Sequence, residues 1–189
     1  MKGEKSQIKK AASNVGAELK QEKEKKVKSA TDNVVNKGLA PKDLIGMSDS
    51  MVEGVYGQAY RLYNTGKYRD AAQLFRLLIM LNATEPKYAM GLAACYHMLK
   101  GYESAAQVYA ICAMLDPESP VPHYHSSDCY LQMGAKMSAI MALEMALKRA
   151  GDKPQYATLK DRSSLTLASL RKELENQEKQ AKESEKLTS

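Results

Sequence analysis

The sequence predicts an all-α fold: a superhelix of three helix-turn-helix repeats, with an N-terminal helical arm before it and a C-terminal capping helix after it. Three observations carry this expectation. Pro86, Pro120 and Pro154 stand 34 residues apart. Small residues keep the same step, as Ala59, Ala93 and Ser127 and again as Ala71, Ala105 and Ala139. Larger residues keep it too, as Phe75, Tyr109 and Leu143 and as Leu62, Tyr96 and Tyr130. Fixed phase over three periods means that one supersecondary unit recurs, each unit burying its apolar face on its neighbours.

A 34-residue period of this kind is the signature of the tetratricopeptide repeat. Such units stack into a curved solenoid whose inner face grips a peptide. The elements follow in order. Residues 1–37 form a basic arm, expected to be partly disordered or helical, because they are polar and lack a sustained apolar stripe. The repeat domain is expected over 38–176. Its first stretch, Gly38 to Asp49, reads as an extended connection or short helix around Leu39, Leu44, Ile45 and Met47, laid on the first repeat. Repeat one spans about 52–85, with Tyr56, Ala59, Tyr60, Leu62 and Tyr63 on its first helix. Gly66-Lys67-Tyr68 makes the turn, and Ala71 to Leu81 forms the second helix. Repeats two and three span 86–119 and 120–153. Each opens with proline, which suits the first helical position because the N–H there has no intrahelical partner. The register drifts at one turn, where Lys100 stands in phase with Gly66 and Gly134 and Gly101 follows it. A capping helix is expected over 154–176, where Tyr156, Leu159, Leu165, Leu167, Leu170 and Leu174 keep a roughly helical spacing. It would cover repeat three, as a terminal unit requires. In 177–189 only Ala181 and Leu187 are apolar, so a flexible tail is expected.

Composition narrows the function classes. A chain of 189 residues is enough for one ordinary domain, and 44% hydrophobic residues support a packed core. There is no Trp and one Phe, against 11 Tyr and 11 Met. Large side chains with a polar or polarisable end suit a surface that is half core and half binding site. The net charge of +6 is concentrated in residues 1–30, with nine lysines and four glutamates. A short run of this sort is expected to be a solvated segment, and no nucleic-acid partner is expected. Met1 to Lys10 carries four lysines with no apolar run behind them, so no signal peptide is expected. The longest apolar stretch, Leu77 to Leu81, is too short to span a bilayer. Three cysteines cannot all pair, which fits a reducing compartment and a cytoplasmic protein.

Catalytic signatures are absent. There is no Gly-rich phosphate loop and no nucleophile motif, so neither an enzyme nor a cofactor is expected. His123, His125, Asp128 and Cys129 lie close in sequence. They lack the paired spacing of a zinc site, and no metal is expected. Cys95, Cys112 and Cys129 are spaced by half a repeat, which places them at helix-packing positions as small buried hydrophobes.

The inner face of the repeat is lined by first helices, through repeat positions 2, 5, 9 and 12 or 13. In phase with the repeats, the residues at positions 5, 9, 12 and 13 are Tyr56, Tyr60, Tyr63 and Asn64; Met90, Ala94, His97 and Met98; and Tyr124, Asp128, Leu131 and Gln132. Tyr56, Tyr60 and Tyr63 form one stripe, either as core or as binding surface. Val55, Ala59 and Leu62 already supply a packing stripe on the adjacent face, which leaves the tyrosines partly free. An aromatic, weakly charged face suits an extended peptide with Pro and Leu anchors. Three anchors at about 1.5–3 kcal/mol each, less the ordering terms, give an affinity on the order of micromolar. A carboxylate clamp is not expected, because Asn64 is its one suitable residue here and Asp128 would repel the ligand.

Three blocks carry a family resemblance. Ala59-Tyr60-Arg61-Leu62-Tyr63-Asn64-Thr65-Gly66-Lys67-Tyr68 resembles the first repeat of the class II chaperones of bacterial type III secretion, the LcrH/SycD group. Gly91-Leu92-Ala93-Ala94-Cys95 with Tyr102 resembles their second repeat. Pro120 to Gly134, with Pro122-His123-Tyr124-His125 and Asp128-Cys129-Tyr130-Leu131-Gln132, resembles their third. The likeness covers about Gly38 to Leu174. It implies a cytoplasmic chaperone of a Gram-negative bacterium that binds hydrophobic translocator proteins before secretion. The implied ligand is a proline- and leucine-containing segment near the translocator's N-terminus, held in the concave groove at Tyr56, Tyr60 and Tyr63 with His97. It also implies no hydrolysis and no stable membrane insertion. Family dimers use the N-terminal helix, so a homodimer is implied as possible, although the arm here is lysine-rich and poor in apolar residues. The competing reading is a generic tetratricopeptide scaffold for protein assembly, with no secreted client.

Overall fold

The computed structural model describes residues 20–25, 28 and 41–187. The chain divides into two compact units, Met1–Asp49 and Ser50–Ser189. In the first unit, Lys20 to Lys25 and Lys28 are helical and exposed. Most of the expected arm, 1–37, lies outside the described residues. Helix α1, Pro41–Leu44, is the short helix expected there. Gly46 turns the chain after it at φ 69°, and Lys42 pairs with Asp49 across the turn.

The second unit is a run of helices. They are α2 Asp49–Asn64, α3 Tyr68–Leu81, α4 Pro86–Met98, α5 Tyr102–Leu115, α6 Val121–Gln132, α7 Lys136–Ala150 and α8 Ala157–Leu187, with a 3-10 turn at Pro154–Tyr156. From α3 onward each helix packs on the next, and α8 returns to touch α6 as well as α7. Among the described residues there is no strand. Tetratricopeptide pairs are therefore α2–α3, α4–α5 and α6–α7, as the period predicts.

The turn inside each pair repeats with the sequence. The Lys67, Gly101 and Ala135 N–H groups each donate to a carbonyl five residues back, Leu62, Tyr96 and Tyr130, at 2.9 Å. Their own carbonyls then accept from Ala71, Ala105 and Ala139, which starts the second helix. This is the left-handed helix ending that satisfies orphaned carbonyls, and it needs positive φ at one residue. Gly66 (φ 77°) and Gly134 (φ 73°) supply it without strain. Lys100 adopts φ 61° at the same site. The apparent drift is therefore a substitution and not a slip: the turn keeps its register with a lysine in it.

The core follows the small and large sets. Ala59, Ala93, Ala71, Ala105 and Ala139 are fully buried, and Phe75, Tyr109 and Leu143 nearly so. One cluster joins Ala93, Ala105, Ala106, Tyr109 and Cys129. Another joins Ala139, Ile140 and Leu143 of α7 to Leu167 and Leu170 of α8, so α8 caps repeat three. The set Leu62, Tyr96 and Tyr130 is only half-buried.

Several boundaries differ from expectation. Pro86 is the first residue of α4, as expected. Pro120 instead precedes α6 as its cap, its carbonyl accepting from the Tyr124 N–H at 3.0 Å. Pro154 opens the 3-10 turn, and the capping helix proper begins at Ala157. That helix runs on to Leu187, through most of the stretch expected as a tail. Residues 177–187 contain strong helix formers and no Gly or Pro, so nothing local stops it. Leu165, expected to help cap repeat three, is 74% exposed.

Candidate peptide-binding face

The first helices α2, α4 and α6 are joined side to side by polar and aromatic contacts. Between α2 and α4, Glu53 and Lys87 form an ion pair at 2.9 Å. Lys87 also sits over the Tyr56 ring, 4.6 Å from its centroid, a cation–π arrangement. Tyr56 meets the Tyr88 ring at 5.8 Å, and within its own repeat the Phe75 ring at 6.2 Å. Between α4 and α6, His97 Nε2 stands 2.8 Å from Asp128 Oδ2. His97 also meets Tyr102 and Tyr109 edge-on, at 5.7 and 6.4 Å.

The predicted face is divided by burial. Tyr60 is 53% exposed and Met98 is 48% exposed, and Asn64 and Gln132 are also open to solvent. Tyr56 is half-buried and stacks on Tyr60, with ring centroids 6.4 Å apart. Tyr63 is half-buried against the Tyr68 ring at 5.4 Å, and burial pushes its phenol pKa up. The tyrosine stripe is thus neither all core nor all free. Ala94 is half-buried. Met90 packs against the Ala93–Tyr109 cluster, and Leu131 and Tyr124 pack against the cluster under α8. Tyr124, Asp128 and Leu131 come together in one cleft of about 410 Å³, closed by Arg162 and Thr166 from α8.

Four neighbours escaped the position count. Glu53 and Lys87 are one period apart with opposite charges, a signal present in the sequence at repeat position 2. Arg162 and Thr166 lie on α8, outside the repeat, where no period could find them. His125 is a further case. It stacks on Tyr109 at 5.5 Å. Burial first, then nearby His97, push its pKa below the usual imidazole value, with Asp128 opposing. His123 is also held low, by burial and by Arg149.

Among the described residues, no group of three His, Cys, Asp or Glu side chains could hold a metal ion. The three cysteines are buried and unpaired. Burial pushes the Cys95 and Cys129 thiols up to about 11 and Cys112 up to about 12, so they are not thiolates near neutral pH. No helix among the described residues is long and apolar enough to cross a membrane.

The chain is similar to known proteins. The tetratricopeptide repeat profile matches residues 52–83 and 86–118. The Low calcium response locus protein H of Yersinia pseudotuberculosis is 32% identical over 133 residues, which are 69% of this chain and 79% of that protein. The chaperone protein SicA of Salmonella typhimurium is 30% identical over 129 residues, 68% of this chain and 78% of its own length. The Yersinia enterocolitica type III secretion chaperone SycD, solved with a peptide of the translocator YopD, superposes with a TM-score of 0.65 at 29% identity. That match covers 67% of this chain and 96% of SycD.

Proposed function

This chain belongs to the type III secretion chaperone family of LcrH and SicA, and we propose that it keeps hydrophobic translocator proteins soluble and ready for export. The observation that carries the proposal is the α2–α4–α6 face, where exposed Tyr60 and half-buried Tyr56 and Tyr63 continue into the His97–Asp128 pair. The ligand is an extended, proline- and leucine-containing segment near the client's N-terminus. Its apolar anchors lie on the tyrosine rings, and the phenol hydroxyls meet its backbone groups. The likeness to SycD, which was solved holding a YopD peptide, supports this choice of ligand. The repeat domain, 38–176, does the binding, with the arm 1–37 before it and the segment 177–189 after it. The protein acts in the bacterial cytoplasm and catalyses nothing: it covers client surface that would otherwise aggregate or enter a membrane.

Affinity capture from the native bacterium, followed by mass spectrometry, tests the reading. The expected catch is one or two proteins with long apolar helices, encoded near this chain. Recovery of only ribosomal or RNA-linked proteins contradicts it, and recovery of a soluble assembly without such a client favours the scaffold.

A further inference from the structure

The cleft at the α6 end of the first-helix face holds two opposite charges that do not meet. Asp128 faces it from α6 and Arg162 from α8, across about 410 Å³. Among the described residues no ion pair joins the two, and the Arg162 guanidinium has no partner of its own. Its neighbours on α8 are committed: Lys160 lies 3.0 Å from Asp152, and Arg171 lies 2.6 Å from Glu144. Asp128 holds His97 through Oδ2 at 2.8 Å, yet its side chain stays 49% exposed. The carboxylate can therefore accept a further hydrogen bond.

The other polar groups of the cleft do not compete. Ser127 Oγ donates to the Tyr124 carbonyl at 2.7 Å, and Thr166 Oγ1 to the Arg162 carbonyl at 3.0 Å. Burial holds His125 below the usual imidazole pKa, so it adds no third charge near neutral pH. Leu131 and Leu143 complete an apolar floor.

The ligand chemistry follows from the sign of the two charges. An anion would be drawn to Arg162 and repelled by Asp128, and a cation would meet the reverse. A neutral group with a donor on one side and an acceptor on the other satisfies both at once. The peptide unit is such a group, and an extended chain presents it unpaired, because no helix or sheet bond occupies it. Hydrogen bonds with one charged partner are the stronger kind.

We propose that Asp128 and Arg162 clamp the main chain of the extended client segment. The carboxylate accepts one of its N–H groups, and the guanidinium donates to one of its carbonyls. The proposal rests on the chaperone reading above and deepens it: the tyrosines hold side chains of the segment, and the clamp holds its backbone whatever side chain stands there. From α2 to α6 is two helix steps of about 8–10 Å each, or about five or six extended residues. The clamped amide therefore lies about that far from the residue resting on Tyr60.

The test uses the full chain and a fluorescently labelled, uncharged Pro/Leu/Gln/Ser peptide of about 12 residues, long enough to span the face. Arg162→Met, at an exposed site, is expected to weaken binding roughly fivefold with helix content unchanged, and Arg162→Lys to recover part of the loss. N-methylation is then walked along the peptide. At one position it is expected to weaken binding to the wild type roughly fivefold and to have no further effect on Asp128→Ala. Single Gln→Glu and Gln→Lys peptides are expected to bind the wild type within about twofold of the parent. Unchanged binding to Arg162→Met overturns the clamp, as does N-methylation that acts alike on wild type and Asp128→Ala at every position. A Glu peptide that binds roughly tenfold tighter, and loses that gain in Arg162→Met, also overturns it, because the cleft then reads an acidic side chain. A Lys peptide whose gain is lost in Asp128→Ala overturns it in the same way. Binding that ignores both residues strikes the clamp alone, whereas no binding to the wild type strikes the first-helix reading and the clamp together.

Discussion

Gly91 shows how much one hydrogen decides in these repeats. A Cβ placed there would lie 2.2 Å from Phe75 Cε1, against a ring that is itself buried. The ring has nowhere to retreat, so Gly91→Ala should destabilise the protein by about 2 kcal/mol, as overpacking does. The check is a lower urea midpoint with an unchanged slope. One period later the same pair is Tyr109 and His125, now stacked and not nested. That histidine sets a pH dependence. Burial pushes its folded pKa below the ordinary imidazole value of about 6.5, with His97 adding to the shift and Asp128 opposing it. Below about pH 6.5 the unfolded chain therefore binds a proton that the folded chain refuses. Stability is full above that pH and falls as pH drops through it. His123, held low by burial and Arg149, has the same sign. Urea midpoints measured from about pH 7.5 to about pH 5.5 should fall, and His125→Phe should flatten the slope. A midpoint that rises on acidification contradicts the assignment. At this scale the sequence was legible where identity alone decides burial, as for Ala71, Ala105 and Ala139. It was not legible at Lys100. A lysine in the left-handed region is strained by roughly 1–2 kcal/mol, and the bonds from the Lys100 N–H to the His97 carbonyl and from the Gly101 N–H to the Tyr96 carbonyl close the turn around it.

At the scale of elements, α8 has two parts. Leu167 and Leu170 are buried against α7, while most residues from Arg171 to Gln177 face solvent. Leu167→Ala should therefore cost about 2–4 kcal/mol and loosen repeat three first, because it opens a cavity under the cap. Hydrogen exchange of α6 and α7 amides would report it, and exchange unchanged in those helices would show that α8 is not the cap. The 34-residue step made α2 through α7 readable, since the turn inside each pair repeats with the same backbone bonds. The limits of α8 were hidden because no second copy of it exists. Arg162 and Thr166, which close the Asp128 cleft, were missed for the same reason. Glu53 and Lys87 were readable in principle, being opposite charges one period apart, but only contact shows that they pair.

The second unit, from Ser50 onward, is a solenoid whose two faces have different chemistry. The first-helix face carries tyrosines, the Glu53–Lys87 pair and the His97–Asp128 pair; the second-helix face carries alanine and methionine. The family blocks pointed to a translocator chaperone, and the likeness to LcrH, SicA and SycD agrees. Periodicity alone could not divide Tyr56, Tyr60 and Tyr63 between core and surface, because half-burial depends on what the neighbouring repeat places against each ring. Tyr60 is the one of the three that burial leaves free, so it isolates binding from folding. The direct test is a titration of the full chain with an extended Pro/Leu peptide from the client's N-terminal region, comparing wild type with Tyr60→Ala. Binding on the order of micromolar that weakens roughly tenfold in Tyr60→Ala, with helix content unchanged, is the predicted result. Equal affinities for the two proteins, or loss of helix in the variant, would contradict it.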